Sequence, residues 1–198
     1  MSVVLVETGV GNTASVLFAL ERLGARARLS SDAAEIAEAE RVILPGVSAA
    51  AWAMRRLDEL GLRQVLTDFP RPLIGVCLGH QLLFESSAEG EVDCLGLLPG
   101  RVDAIAPAPD RPVPHMGWNR LRIVRDDPLL EGVEDGAHAY FVHAFAAPET
   151  ADALAVTDYG APLSAVVRRG NVMGCQFHPE RSGAVGARVL ANFLSLPC

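Results

Sequence analysis

The 198-residue chain lacks an excess of positive charge: 17 Lys and Arg stand against 24 Asp and Glu, a formal net charge of -7. Phosphate-dominated binding needs a basic stripe, so neither nucleic acid nor an anionic membrane is an expected partner. The four cysteines, Cys77, Cys94, Cys175 and Cys198, include no CxxC pair and no spaced His/Cys set. That argues against a disulfide framework and a zinc site, and leaves reduced thiols, with no metal or cofactor expected. Eighteen apolar residues never follow one another, and the opening MSVVLVETG has no basic leader and is interrupted by Glu7. A membrane span and a targeting segment are therefore unexpected, which supports a cytoplasmic protein. Repeats and linkers long enough to divide domains are also missing, so the expectation is one domain over 1–198.

What is present is apolar and patterned. Half the residues are hydrophobic and 18 are glycine. Short β-branched runs alternate with helical patterns: VVLV (3–6), ASVLFALERLG (14–24), RARL (26–29), RVIL (41–44), AAAWAMRRLDELG (49–61), RPLIGV (71–76) and HQLLFESS (80–87). This alternation predicts an α/β domain whose central sheet is mostly parallel, mixed overall, and flanked by helices. Leu17, Leu20 and Leu23, with Phe18 alongside, recur at helical spacing as core positions, and Gly24 is a stop signal. Beyond residue 99 prolines cluster, and the runs NRLRIV (119–124), AYFVHAF (139–145), PLSAVVRRG (162–170) and NVMGCQF (171–177) read as hairpins added to the sheet. The close, VGARVLANFLSL (185–196), carries Val189, Leu190, Phe193 and Leu194 as a helical stripe.

Three stretches bear on chemistry. In PLIGVCLGHQLLF (72–84), Cys77 falls between Gly75 and Gly79 where a strand meets a helix read over 79–88. A sharp turn there exposes the side chain at its apex, the glycines remove Cβ atoms that would collide, and the helix N-terminus favours thiolate over thiol. The alternative is a small buried cysteine. His80 invites a base role, but its ring leaves the first helical turn while Cys77 sits at the elbow, so it reads as a surface or hydrogen-bonded histidine. The better base is His178 in GCQFHPERSG (174–183), with Glu180 two residues on, on the same side of an extended chain. Glu180 orienting His178, and His178 facing Cys77, would complete a nucleophile–base–orienter set; a solvated turn is the plain alternative. A rival site is GVGNTA, with Gly9, Gly11 and Ala14 in dinucleotide-binding spacing and Asp32 as ribose-binding acid.

Together, PGVSAA (45–50), GVCLGHQLLF (75–84) and QFHPERSG (176–183) resemble the class I, or triad, glutamine amidotransferases. Within that family PHMGWNRL (114–121) and AYFVHAF look like the glutaminase subunits of imidazole glycerol phosphate synthases, and the likeness runs over nearly the whole chain. The resemblance implies Cys77 as nucleophile on glutamine, His178 as proton shuttle and Glu180 as its orienter. It implies an oxyanion site at the N–H of Leu78 and within Gly46, Val47 and Ser48. Gln81, Glu89 and the backbone of His143, Ala144 and Phe145 would hold the substrate. The implied partner is a cyclase subunit, forming a heterodimer, with Trp118, Asn119, Tyr140 and Arg181 at the interface, and the lone subunit nearly inactive. Departures from the family pattern are Ser48 for a glycine, ETGVGN at the opening, Phe145 for tyrosine, Arg181 for lysine, and His80 for methionine. His80 keeps a sister amidotransferase, such as an anthranilate synthase subunit, as one alternative. A non-catalytic dinucleotide-binding module is the other.

Overall fold

The structure is a computed structural model that describes residues 2–9 and 13–197. Its first half runs β1 (Val3–Val6), α1 (Thr13–Arg22), β2 (Ala27–Ser30), α2 (Ala33–Glu38), β3 (Arg41–Gly46), α3 (Ala50–Glu59), α4 (Leu62–Thr67), β4 (Leu73–Cys77) and the single turn α5 (Leu78–Gln81). The second half is richer in strands: β5 (Ser86–Ser87), β6 (Val92–Asp93), β7 (Arg101–Ala104), β8 (His115–Arg120), β9 (Arg122–Ile123), β10 (His138–His143), β11 (Phe145–Ala146), β12 (Ala153–Asp158), β13 (Pro162–Arg169) and β14 (Val172–Cys175). Helix α6 (Gly183–Ser195) closes the fold.

The main sheet has eight strands in the order β2-β1-β3-β4-β14-β13-β12-β9. From β2 to β14 the neighbours are parallel, and from β14 to β9 antiparallel, giving the expected mixed sheet. Side chains of a strand point alternately to its two faces. Along β1, Val3 and Leu5 join one core with Val16 and Leu20 of α1 and Val189, Leu190 and Phe193 of α6. Val4 and Val6 join the opposite core with Ile36 of α2, Met54 and Leu57 of α3 and Leu62 of α4. Both faces are covered, which is why β1, β3 and β4 are buried at every residue.

Local chemistry sets the element ends. Gly24, at φ 76°, closes α1 with its N–H on Glu21 O at 2.8 Å, as its position suggested. Asp32 is the N-cap of α2, accepting from Glu35 N at 2.9 Å. That corrects its reading as a ribose-binding acid, because its carboxylate serves the helix. Gly11 lies outside the described residues. The guanidinium of Arg41, buried at the start of β3, donates to Phe193 O at 3.3 Å and to Leu196 O at the end of α6, where a cation suits the exposed carbonyls.

Three expectations differ from the fold. Phe18 is 58% exposed, because α1 turns Val16, Ala19 and Leu20 inward instead. The helix after Cys77 is one turn, not ten residues; the chain bends through residues 82–85 into β5, where Glu85 and Ala88 bond to the chain around β7. The run 139–145 does not extend the main sheet. Its strand β10 pairs antiparallel with β8 as a separate ribbon, burying Ala139 and Phe141 against the sheet while Tyr140 stays half-exposed.

The turn from β4 into α5 positions the site. A Cβ on Gly79 would overlap the Leu44 carbonyl oxygen and lie 2.8 Å from its carbon, and one on Gly75 would lie 2.5 Å from the Gly79 carbonyl carbon. The two glycines let α5 lie directly on β3 and β4. Gly79→Ala should therefore destabilise the protein beyond ordinary overpacking, by about 3 kcal/mol or more in urea denaturation. Gly136→Ala, at φ 82° with open space around it, should cost only about 1–2 kcal/mol. Equal losses at the two positions would contradict this packing.

Candidate active site

Cys77 ends β4 and His178 follows β14, the neighbouring parallel strand, so both leave the sheet at its carboxyl edge. Ligands collect at that edge in open α/β sheets. Cys77 sits at φ 55°, a strained value for a residue with a side chain, as a nucleophile elbow requires. Pro179 cannot extend the ladder, so the chain turns at His178 into the short 3-10 helix Pro179–Arg181. That turn brings Glu180 Oε1 to 2.9 Å from His178 Nδ1, with only 2% of the Glu180 side chain exposed.

The imidazole is thus bonded to the carboxylate and shares the cavity with the thiol. Burial would lower the pKa of His178, but hydrogen bonds to Cys77 and Glu180, and then their charges, outweigh it and raise it to about 10. The other described cysteines contrast with this. Burial leads the upward shift of Cys94 to about 11, and burial with the charges of Glu180 and Cys77 drives Cys175 well above the usual thiol range. These two are packing thiols.

His178, Cys77 and Glu180 line a cavity of about 320 Å³ that also takes in Val47, Ser48, Leu78, Gln81 and Glu89 on one side. Val142, His143, Ala144, Phe145 and Arg181 complete its wall. Gly46 pairs with Cys77 in the β3–β4 register, which brings Val47 and Ser48 beside the thiol. Ser48 has φ 100°, so the serine does not exclude the conformation a glycine would take but strains it, a cost on the order of 1–3 kcal/mol. Gln81 Nε2 spends its hydrogens on Phe145 O at 2.7 Å and Gln176 Oε1 at 3.0 Å. Only its oxygen is left for a ligand. Glu89 Oε2 accepts from Ala50 N at 2.8 Å, tying the cavity rim to the start of α3. A larger hollow of about 510 Å³ lies beside Asp126, Asp127 and Glu131, without cysteine or histidine, and offers no comparable chemistry.

Of the four residues expected at a partner interface, Trp118, Tyr140 and Arg181 gather on one face of the ribbon and Asn119 lies on the other. Trp118 is 57% exposed, so it is not a core residue, and its ring meets Tyr140 at 5.9 Å. The Arg181 guanidinium stacks on Tyr140 at 4.5 Å. Asn119 turns inward, to His115 Nε2 at 3.2 Å and Asp158 O at 3.1 Å. His80 is neither at the surface nor near the role of a base. It is wholly buried against Phe84, in space that a Cβ on Gly174 would fill, and neither ring nitrogen makes a hydrogen bond of ordinary geometry. Burial, then the charge of His143, lowers its pKa to about 3, with the Ser164 backbone opposing weakly.

Sequence reasoning missed His115 and Gln176, both buried. The signal for the first was its place in a strand alternating inward with exposed Met116 and Trp118. Gln176 stands in the quoted QFHPERSG, two residues before the histidine, and an extended chain puts it on the same side.

A fold with a strained cysteine at the sheet edge, paired with a His–Glu couple from the next strand, defines a triad amidotransferase. The glutamine amidotransferase class-I family model matches residues 4–196, and the chain belongs to that family. It is 54% identical over 194 residues to the Imidazole glycerol phosphate synthase subunit HisH of Xylella fastidiosa (strain Temecula1 / ATCC 700964), covering 98% of this chain and 97% of that one. The protein of the same name from Xanthomonas axonopodis pv. citri (strain 306) is 55% identical over the same length and coverage. Among solved structures, a glutamine amidotransferase superposes with a TM-score of 0.74 at 24% identity, covering 96% of each chain. The Trypanosoma brucei CTPS glutaminase domain with bound acivicin gives 0.69 at 15% identity, covering 100% of this chain and 95% of that one. Both show the shared fold.

The histidines make a prediction about stability. His80 at about 3, and His115 and His143 at about 4, lie below the ordinary 6.5, with burial the leading cause in each. Depressed values stabilise the fold above pH 6.5, and that contribution is lost as the pH falls towards 4, because the unfolded chain takes protons the folded one refuses. His178 works in the opposite sense: its contribution is complete below 6.5 and is lost as the pH rises through 10. Urea midpoints should fall from pH 6.5 towards 4, with His80 and His143 each supplying roughly 1 kcal/mol per pH unit. A midpoint unchanged between pH 7 and 5 would mean that these rings accept protons while folded.

Proposed function

We propose that the chain, taken as one amidotransferase domain over residues 1–198, is the glutaminase subunit of an imidazole glycerol phosphate synthase. The observation that carries the chemistry is the His178–Glu180 hydrogen bond at 2.9 Å opening onto the same cavity as Cys77. The identity to the named relatives over almost their full length supports the particular enzyme.

Cys77 Sγ, as thiolate, attacks the carboxamide carbon of glutamine, and the negative charge moves to the carboxamide oxygen. The N–H of Leu78 and one within Gly46, Val47 and Ser48 receive that oxyanion. Protonated His178 gives its proton to the leaving nitrogen, the C–N bond breaks, and ammonia departs from a γ-glutamyl thioester. Water, losing a proton to neutral His178, then attacks the thioester, and glutamate leaves as the Cys77 thiolate is restored. Glu180 fixes the tautomer by accepting from Nδ1, so that Nε2 faces the sulfur. Gln81 Oε1 and Glu89 suit the α-ammonium group of glutamine, since both offer acceptors, and the backbone of His143, Ala144 and Phe145 forms the opposite wall.

The ammonia passes to a cyclase subunit that makes imidazole glycerol phosphate and aminoimidazole carboxamide ribotide in histidine biosynthesis, so the pair acts together as a lyase. Exposed Met116 and Trp118, with Tyr140 and Arg181 behind them, form the apolar and cationic patch on which that partner docks to make the heterodimer. A cytoplasmic location is part of the same proposal; no helix of the described residues is long and apolar enough to cross a membrane. The alternatives lose their footing: His80 is a core residue that faces no partner, and Asp32 is committed to a helix cap.

Cys77→Ala should abolish glutamate release, a fall of at least 1,000-fold in kcat with the cyclase present and its substrate saturating. Glutaminase activity that survived the change would sink the proposal. Trp118→Ala should weaken cyclase binding in titration calorimetry by about 2 kcal/mol, leaving the urea midpoint of the lone subunit nearly unchanged because the ring is exposed. Unaltered affinity would place the interface elsewhere.

A further inference from the structure

Gln176 belongs to no role considered so far and is wholly buried beside the cysteine. Its two ends meet different partners. Oε1 accepts from Gln81 Nε2 at 3.0 Å, and Nε2 faces Cys77 Sγ at 4.0 Å, a separation a sulfur acceptor allows. An amide that can flip would present either a donor or an acceptor to the sulfur. The choice is made outside Gln176. Gln81 Nε2 is held by Phe145 O at 2.7 Å, so a flipped Gln176 would set N–H against N–H at one end and oxygen against sulfur at the other.

Phe145 O is in turn fixed by His143 Nδ1 at 2.9 Å. His143 Nε2 meets His115 Nδ1 at 3.0 Å, and His115 Nε2 meets Asn119 Nδ2 at 3.2 Å. Asn119 has no freedom to flip, since its Oδ1 accepts from Arg120 N at 2.8 Å and its Nδ2 donates to Asp158 O. Each neutral ring has one N–H, so the protons run one way: Asn119 to His115, His115 to His143, His143 to the Phe145 carbonyl. His115 is clamped between Phe141 at 4.8 Å and Tyr159 at 4.0 Å, both nearly parallel to it. The one-turn helix α5 is too short to develop much of a dipole at the sulfur, which leaves side-chain donors to hold its charge.

We propose that Gln176 is a further catalytic residue, whose amide N–H donates to the Cys77 sulfur and stabilises it as thiolate. Gln81, the Phe145 carbonyl, His143 and His115 keep that N–H turned towards it, the two histidines as positioning residues. The inference rests on Cys77 being the nucleophile proposed above.

The experiment is the rate at which iodoacetamide alkylates Cys77 in the full chain at neutral pH, read by mass spectrometry of the Cys77 peptide. In that reaction the thiolate displaces iodide, and neither glutamine nor a partner takes part. Gln176→Met, similar in size but without the N–H, should slow it about ten-fold. Gln176→Glu, which keeps the shape and puts oxygen against the sulfur, should slow it further. Folded variants that react at the wild-type rate would overturn the proposal. Should both fail to fold, the unaltered protein still decides: the side-chain amide resonances of Gln176 should move when Cys77 is alkylated, while those of exposed Gln64 stay. Unmoved Gln176 resonances would overturn it equally. His115→Phe preserves the ring stack without the N–H and should slow alkylation about three-fold at neutral pH and move the pH profile of the rate upward; a wild-type rate and profile would remove the histidines from the device. A Gln176-dependent alkylation rate without any glutamine turnover would count against the glutaminase reading alone.

Discussion

The close approach of α5 to β3 is the constraint on which the site depends. With hydrogens at Gly75 and Gly79, the backbone after β4 folds down onto the Leu44 carbonyl, and Cys77 is forced to φ 55° at the apex. The strain is sustained by burial on both faces of β3 and β4, where every residue is enclosed. The same descent exposes the thiol to the cavity, sets it beside Val47 and Ser48 through the β3–β4 register, and pushes His80 into the core. One packing contact therefore settles what faces the thiol and what turns away from it.

The parallel sheet was legible because its strands are short β-branched runs separated by helical spacing, and both signals are local. Asp32 shows the limit of that reading. An acid following a glycine-rich turn is compatible with a ribose contact or a helix cap, and only the position of Glu35 N decides between them. Helix α5 shows another: HQLLFESS has helical composition, but Leu95 and Leu98 bond back to the carbonyls of Leu82 and Leu83, and tertiary bonding overrides propensity there. The Cys77, His178 and Glu180 set could be proposed because His178 and Glu180 stand two residues apart, although it is a 3-10 turn at Pro179 and not an extended chain that brings them together. Gln176 and His115 could not, since their roles rest on partners that are distant in sequence, at separations of 95 and 28 residues.

Two histidines line the same cavity, and the protein holds them in opposite charge states. His143 and His178 are both largely enclosed, and burial alone would depress both. What separates them is the charge of their neighbours. His178 lies between a thiol and a carboxylate, each of which stabilises its protonated form, and Glu180 keeps its second oxygen buried without a hydrogen-bond partner among the described residues, concentrating its charge on the imidazole. His143 bonds to the neutral His115 ring and a carbonyl, and the charge of His178 opposes its protonation further, so a proton there would find no counter-charge. The consequence is a division of labour. In the mechanism proposed above one ring exchanges protons with the substrate, whereas the other keeps a single tautomer and serves as a fixed dipole. A second proton carrier so close to the thiol would compete with His178 for it, and the uncharged chain from Asn119 to Phe145 removes that competition while still supplying the order that the buried amides need.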